Sequence, residues 1–234
     1  MRALRITAYA LVAVLALLGF AFAGMQTTPG KRLLAKLASS LASSPGQQIQ
    51  ITGIDGFVPT DLRVEQIEIS DRAGPWLRVE DARVSWSFAS LLQRRLQIDL
   101  LSAAKIGVLR APQDEKKESA SAGGGLRLPV DIDLQALRID DLHLAAALGG
   151  VDSHWKISGQ AAVARDLGEI SAKLAADRLE GPKGTLTADV RLERAPRKIA
   201  ADITLDEASG GIVAALMQRP DLPEISLKLS ARGD

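Results

Sequence analysis

Few residues in this 234-residue chain have the types and spacing that enzymes or metal sites use. The two histidines, His143 and His154, lie in strand-like segments without metal-ligand spacing, so we expect satisfied or surface histidines. Asp140 and Asp141 resemble a carboxylate pair but lie at a break in the strand pattern, where a turn is expected. The chain has no cysteine, which excludes disulfides, thiolate metal sites and a lipoprotein anchor.

Motifs for phosphate binding and for nucleophilic catalysis are also missing. The run Gly123-Gly124-Gly125 is not followed by the lysine and helix of a phosphate-binding loop. No G-x-S-x-G nucleophile elbow occurs. We therefore expect a protein that is not an enzyme and that uses no metal and no cofactor.

Composition narrows the class of protein further. Hydrophobic residues make up 47% of the chain but aromatic residues only 3%, so the apolar content is aliphatic. Outer-membrane barrels carry aromatic girdles at both interfaces, and this composition argues against one. The net charge of +1 gives no sign of a nucleic-acid partner.

An uncharged segment near the amino terminus predicts attachment to a membrane. Arg2 and Arg5 precede residues 8–25, which as a helix would be roughly 27 Å long, close to the hydrocarbon thickness of about 30 Å. Ala21-Phe22-Ala23 would also suit cleavage of a signal peptide, whose apolar region is usually shorter. We favour an uncleaved signal anchor over residues 1–26, with the rest of the chain exported. The anchor residues are expected to include Ala8, Leu11, Val14, Leu17, Leu18, Phe20 and Phe22.

Residues 27–46 predict a short amphipathic helix next to this anchor. Thr28 can cap it, Pro29 suits its first turn, and leucines recur every four residues on one face with basic residues on others. A basic amphipathic helix can lie on a bilayer surface, or it can plug the end of the sheet that follows. We favour the second arrangement.

Alternation of apolar and polar residues through most of the remaining chain predicts a mainly β protein. Leu62 and Val64, for example, alternate with Arg63 and Glu65. The phase of the alternation slips by one residue at several points, such as between Val64 and Ile67, and each slip predicts a bulge or a turn.

The strand pattern falls into two segments. Residues 47–111 form the first β segment and residues 127–234 the second, separated by a charged and then glycine-rich linker at 112–126. Regular turn spacing suggests an antiparallel meander, with a short helix at 210–218. The last strand-like segment, 224–230, is followed by only four residues, so we expect the chain to be part of a longer, repetitive protein.

Periodicity alone allows two architectures for such a sheet. It could fold onto a second sheet as a β-sandwich, or it could curl into an open trough whose apolar inner face holds acyl chains. We favour the antiparallel open trough. Its candidate groove residues are Leu62, Val64, Ile67, Ile69, Val84, Trp86, Phe88, Ile98, Val130, Ile132, Leu134, Ile139, Ile170, Leu186, Val190 and Ile203.

Several degenerate motifs in a fixed order give the chain a resemblance to a known family. The motifs are Thr52-Gly53, Gly56, Asp61-Leu62, residues 67–71, Gly74-Pro75-Trp76-Leu77, Trp86, Leu91-Leu92 and residues 212–229. With the apolar amino-terminal segment, they resemble the amino-terminal part of the TamB family, the inner-membrane subunit of the translocation and assembly module, which belongs to the AsmA-like group of Gram-negative envelope proteins.

The resemblance implies a location, a function and partners. Members of this family are single-pass inner-membrane proteins whose long curled sheet crosses the periplasm, and its apolar groove is thought to carry phospholipid toward the outer membrane. The alternative role is a scaffold for outer-membrane protein assembly or secretion together with an Omp85-type barrel. The partners that the resemblance implies are phospholipid, the inner membrane and an Omp85-type barrel, the last through a carboxy-terminal domain that has no counterpart in this sequence.

Overall fold

The computed structural model describes residues 26–43, 46–113, 128–194, 197–219 and 221–233. Its strands are β1 (Gln48–Phe57), β2 (Asp61–Asp71), β3 (Gly74–Ser87), β4 (Arg95–Val108), β5 (Asp131–Leu144), β6 (Ser153–Val163), β7 (Glu169–Arg178), β8 (Gly184–Arg194), β9 (Arg197–Glu207) and β10 (Ile225–Gly233). The helices within these residues are α1 (Thr28–Ala42), α2 (Phe88–Leu91), α3 (Ala146–Gly149) and α4 (Ile212–Leu216).

All ten strands form one open sheet in the order of the sequence, from β1 to β10. Every neighbouring pair is antiparallel except β4 and β5, which are parallel. The prediction of an antiparallel sheet was therefore wrong at this pair. A parallel pair needs a connection that returns the chain to the same end of the sheet, and the segment containing the predicted linker 112–126 makes this connection. The two predicted β segments belong to the same sheet.

Helix α1 covers the free edge of β1. The Oγ atoms of Ser39 and Ser43 each accept a hydrogen bond of 2.9 Å, from the backbone N–H of Ile51 and Ile49 respectively. The helix thus lies along the outer edge of β1 rather than across an end of the sheet, and it supplies partners for N–H groups that an edge strand leaves unpaired. Its cap is Thr27 rather than Thr28, since the Thr27 side chain accepts from Gly30 N–H.

The phase slips lie inside strands, and some of them occur at the same level in neighbouring strands. Val64 pairs with Ala82 and Ile67 pairs with Val79, so both strands change phase between the same two pairs. Asp81 adopts a φ of 50° within this break. In β5 the slips coincide with register shifts against β6. Where both strands shift together, as in β2 and β3, or where a register shift takes up the extra residue, as between β5 and β6, the apolar side chains stay on one side of the sheet.

Four further predictions can be compared with the structure. The predicted helix at 210–218 is confirmed as α4, which is shorter. Asp140 and Asp141 lie within β5 rather than in a turn. Phe88 was wrongly placed in a strand, because it begins α2, and Val130 precedes β5 instead of belonging to it.

The anchor residues named above, from Ala8 to Phe22, lie outside the described residues. Among the residues that the structure describes, no helix is both long enough and apolar enough to cross a bilayer.

Candidate functional site

The pairing of the strands assembles the alternating apolar residues into a continuous surface, here called the apolar face. In one row, every strand contributes a residue directly opposite its neighbour's, and each residue is apolar or glycine. The row runs from β1 to β10 through Gly56, Leu62, Val84, Leu101, Leu137, Gly159, Leu174, Ala188, Ile203 and Leu229. A side chain on this row has apolar neighbours on both sides across the whole sheet.

Parallel rows on either side extend this surface along the strands. One row, from β3 to β10, contains Trp86, Ile98, Leu134, Ala161, Ala172, Val190, Ala201 and Ala231. Another, from β4 to β10, contains Ala103, Ile139, Ile157, Ala176, Leu186, Leu205 and Leu227. The predicted groove residues all lie on the apolar face except Phe88 and Val130, with Val64, Ile67, Ile69, Ile132 and Ile170 on further rows.

The apolar face is only partly buried. Leu174 is 44% exposed and Leu229 is 60% exposed, although both lie in the row that crosses all ten strands. No large side chain among the described residues is less than 2% exposed. In a β-sandwich these positions would form a core enclosed between two sheets. Within the described part of the chain there is one sheet, so the sandwich alternative does not hold there.

The opposite face of the sheet is polar and carries cross-strand ion pairs. Arg78 contacts Glu68 at 2.8 Å and Arg83 contacts Asp61 at 2.9 Å. Hydrogen bonding from Arg83 holds the pKa of the Asp61 carboxyl below its usual range. The contrast between the two faces shows that the sheet separates an aliphatic surface from a charged one, as expected for a sheet with one wet face.

A buried charged pair marks one end of the apolar face. Arg178 ends β7 and Glu207 ends β9, and their register places both on the apolar face. Their side chains are only 5% and 2% exposed, with 3.9 Å between Arg178 Nη1 and Glu207 Oε1. Glu207 also accepts hydrogen bonds from the backbone N–H groups of Ile212 and Val213, at the start of α4.

Helix α4 packs closely over this pair. Ala214 is 1% exposed, and a Cβ added to Gly211 would lie within 2.1 Å of the Glu207 side chain. Trp155 is paired with Arg178, is 8% exposed, and has a buried indole N–H without a hydrogen-bond partner. Glu207 therefore holds α4 across the end of the apolar face.

The pair Arg178 and Glu207 was missed in the sequence, although a signal was present. Strict alternation through Leu174 and Ala176 places Arg178 on the apolar face, and alternation through Ile203 and Leu205 does the same for Glu207. A charged residue at an apolar position in each of two strands is expected to find a buried partner.

The histidines lie on the polar face, opposite each other on β5 and β6. Their rings stack with centroids 4.5 Å apart. His154 Nδ1 lies 2.7 Å from an Asp141 carboxylate oxygen, and His143 Nε2 lies 3.3 Å from Asp152. Each histidine therefore has a carboxylate partner, as expected for satisfied histidines. Within the described residues, no group of three or more histidine, aspartate or glutamate side chains is arranged to hold a metal ion.

Comparison with known proteins yields one match. The family model for the N-terminal domain of TamB matches residues 14–194, more than half of the chain. No curated protein and no solved structure matches the sequence. The matched region begins within the apolar amino-terminal segment and extends to the end of β8. The match includes the motifs between residues 52 and 92 but not the one at residues 212–229, and the chain belongs to the TamB family and contains its N-terminal domain.

Proposed function

We propose that this chain is an inner-membrane-anchored segment of a periplasmic lipid conduit, which moves phospholipid toward the outer membrane. The observation that carries the proposal is the row of ten apolar or glycine residues that crosses the whole sheet, over which the described residues place no second sheet. Large side chains on that row, such as Leu174 and Leu229, remain substantially exposed. A contiguous apolar surface of this kind usually marks a binding site.

The chemistry of the apolar face suits acyl chains better than a specific ligand. Burial of each methylene contributes about 0.8 kcal/mol without a directional requirement, so a chain could shift from one row to the next at little cost. Polar groups on the face would hold a headgroup at one position. On the rows of β6 to β10, the charged residues of the apolar face lie at its two ends: Arg178 and Glu207 beside α4, and Arg194, which follows Leu192 at the opposite end of β8.

The location rests on two features. The family match supports an envelope protein, and the apolar segment of residues 8–25 has the length of a single membrane span. The bulges within the sheet increase twist and bend the strands, which favours a curled trough over a flat sheet.

Neighbouring residues of β9 provide a matched test. Ile203 lies on the apolar face, whereas Thr204 points to the polar face and pairs with Thr187. The full chain would be purified with either Ile203→Asp or Thr204→Asp, and phospholipid retained in the folded protein would be counted by native mass spectrometry. We expect Ile203→Asp to lose most bound phospholipid and Thr204→Asp to retain it. Equal retention in both folded variants would contradict the proposal.

A second candidate function is a scaffold for outer-membrane protein strands. It is favoured by the contrast between the edges: α1 covers β1, while β10 pairs only with β9 among the described residues and is exposed from Ser226 onward. An exposed edge can accept an additional strand. Crosslinking from β10 to nascent barrel strands, with no crosslink from the apolar face to lipid, would favour this function.

A further inference from the structure

The turns at one end of β1 to β4 come together into a single tip. Trp86 connects them, because its backbone N–H bonds to Thr60 O at 2.9 Å and its indole N–H bonds to Pro59 O at 2.7 Å. The Trp86 ring also lies 6.0 Å from the ring of Phe88, at the start of α2. The β1–β2 turn and the β3–β4 connection therefore form one surface.

This tip exposes large apolar side chains that do not belong to the apolar face: Phe57, the last residue of β1, and Phe88 and Leu92 in the β3–β4 connection. Phe57 is 54% exposed, Phe88 is 60% exposed and Leu92 is 84% exposed. Leu92 follows α2 directly, and its backbone N–H bonds to Ala89 O at 3.2 Å. Exposed aromatic and aliphatic residues grouped at a turn are unusual on a surface that faces only water.

Basic residues flank these apolar side chains. Arg94 and Arg95 follow Leu92 and are exposed, and neither side chain forms an ion pair within the described residues. The nearby Asp61 carboxylate is neutralised by Arg83 at 2.9 Å. Asp131 lies directly opposite Arg95 in the pairing of β4 and β5, but its carboxylate accepts a hydrogen bond from the backbone N–H of Arg165 and forms no ion pair with Arg95. The tip thus presents apolar groups together with unpaired positive charge, the combination that binds anionic bilayer surfaces.

The chain path places the tip beside the predicted anchor. The Gln26 side chain donates a 2.6 Å hydrogen bond to Val58 O and accepts a 3.2 Å bond from Val58 N–H, in the β1–β2 turn. Gln26 follows directly on the apolar segment of residues 8–25. A segment inserted in a bilayer would therefore enter the protein at this tip.

We infer that the tip formed by Phe57, Phe88 and Leu92, with Arg94 and Arg95, docks into the interface of the anionic bilayer that holds the amino-terminal segment. The inference rests on the proposed membrane anchoring. The tip is then the part of the sheet that meets the membrane surface. Lipid could pass between the bilayer and the apolar face at this end of β1 to β4.

The absence of cysteine allows a direct depth measurement. The full chain would carry a single bimane-labelled cysteine at Leu92→Cys or at Leu179→Cys, a leucine at the opposite end of the sheet that is 48% exposed. Each protein would be reconstituted in vesicles of phosphatidylethanolamine and phosphatidylglycerol that contain nitroxide-labelled lipid. We expect strong quenching and a blue-shifted emission at position 92, and an aqueous, unquenched emission at position 179.

The charge requirement is tested in the same assay. Arg94→Glu combined with Arg95→Glu should strongly reduce quenching at position 92, and so should replacement of phosphatidylglycerol by phosphatidylcholine. Equal quenching at positions 92 and 179, or a chain that does not associate with the vesicles, would overturn the inference. If the chain binds phospholipid but position 92 stays aqueous, the inference that the tip docks is wrong and the proposed lipid conduit stands. If position 92 is quenched but the chain retains no lipid, the proposed conduit is wrong and docking of the tip stands.

Discussion

Replacement of Glu207 by alanine is expected to destabilise the sheet severely, because Glu207 is the buried partner of two different structural elements. It is 2% exposed, it accepts hydrogen bonds from the N–H groups of Ile212 and Val213, and it lies 3.9 Å from the buried guanidinium of Arg178. Removal of one partner of a buried ion pair costs about 3–5 kcal/mol, since the other charge stays buried without compensation. We expect Glu207→Ala to lower the free energy of unfolding by about this amount.

Urea unfolding of the full chain in mild detergent would measure the loss, since urea does not screen charges. The matched control is Asp189→Ala, which removes an exposed partner of Lys173 at 3.4 Å and should cost less than about 1 kcal/mol. A double variant, Glu207→Leu with Arg178→Met, removes both charges and should be more stable than Glu207→Ala. The reasoning is refuted if Glu207→Ala costs no more than Asp189→Ala, or if the double variant is the least stable of the three.

Two other substitutions test local features of the sheet. Gly56→Ala should destabilise the protein by about 1–3 kcal/mol more than Gly74→Ala in the same urea assay. Both glycines have a positive φ, but only at Gly56 would the new Cβ lie 2.2 Å from the Asp61 carbonyl oxygen. Equal losses of stability in the two variants would contradict this. Hydrogen bonds from Arg110 hold the pKa of Asp71 well below its usual range. The stability that Asp71 contributes is therefore complete above the unfolded-state pKa of about 3.9 and disappears as the pH falls through the folded-state pKa. Asp71→Asn should lower the urea midpoint at pH 7. Below about pH 4 the midpoints of the variant and of the unmodified chain should approach each other. A difference in midpoint that does not depend on pH would exclude this explanation.

Alternation along the sequence was sufficient to identify the strands and their apolar side. The phase slips after Val64 and Val79 allowed either a bulge or a turn, and they are breaks within strands that neighbouring strands share. A single strand cannot reveal this, because the outcome depends on whether the neighbouring strand shifts at the same level or, as β6 does against β5, pairs in a shifted register. Phe88 was predicted to belong to a strand because it continues the alternation of β3. The helical turn that begins at Phe88 could not be recognised from the alternation of apolar and polar residues.

Periodicity predicts neither the relative direction of neighbouring strands nor the partners of individual side chains. Parallel and antiparallel strands share the same alternation, so nothing in β4 or β5 distinguishes their parallel pairing from a hairpin. Ser39 and Ser43 looked like ordinary polar positions of an amphipathic helix, yet they pair with the edge of β1. Their role depends on where the helix lies, which follows from tertiary packing.

Photo-crosslinking in intact cells would show whether the apolar face holds lipid. A photoreactive amino acid would replace Leu101, Leu137, Leu174 or Ile203 in the row that crosses the sheet, and in controls it would replace the next residue of each strand, which points to the polar face. We expect crosslinks to phospholipid from all four row positions and from none of the controls. Crosslinks of equal yield from both faces, or no lipid crosslink from the row, would contradict this expectation.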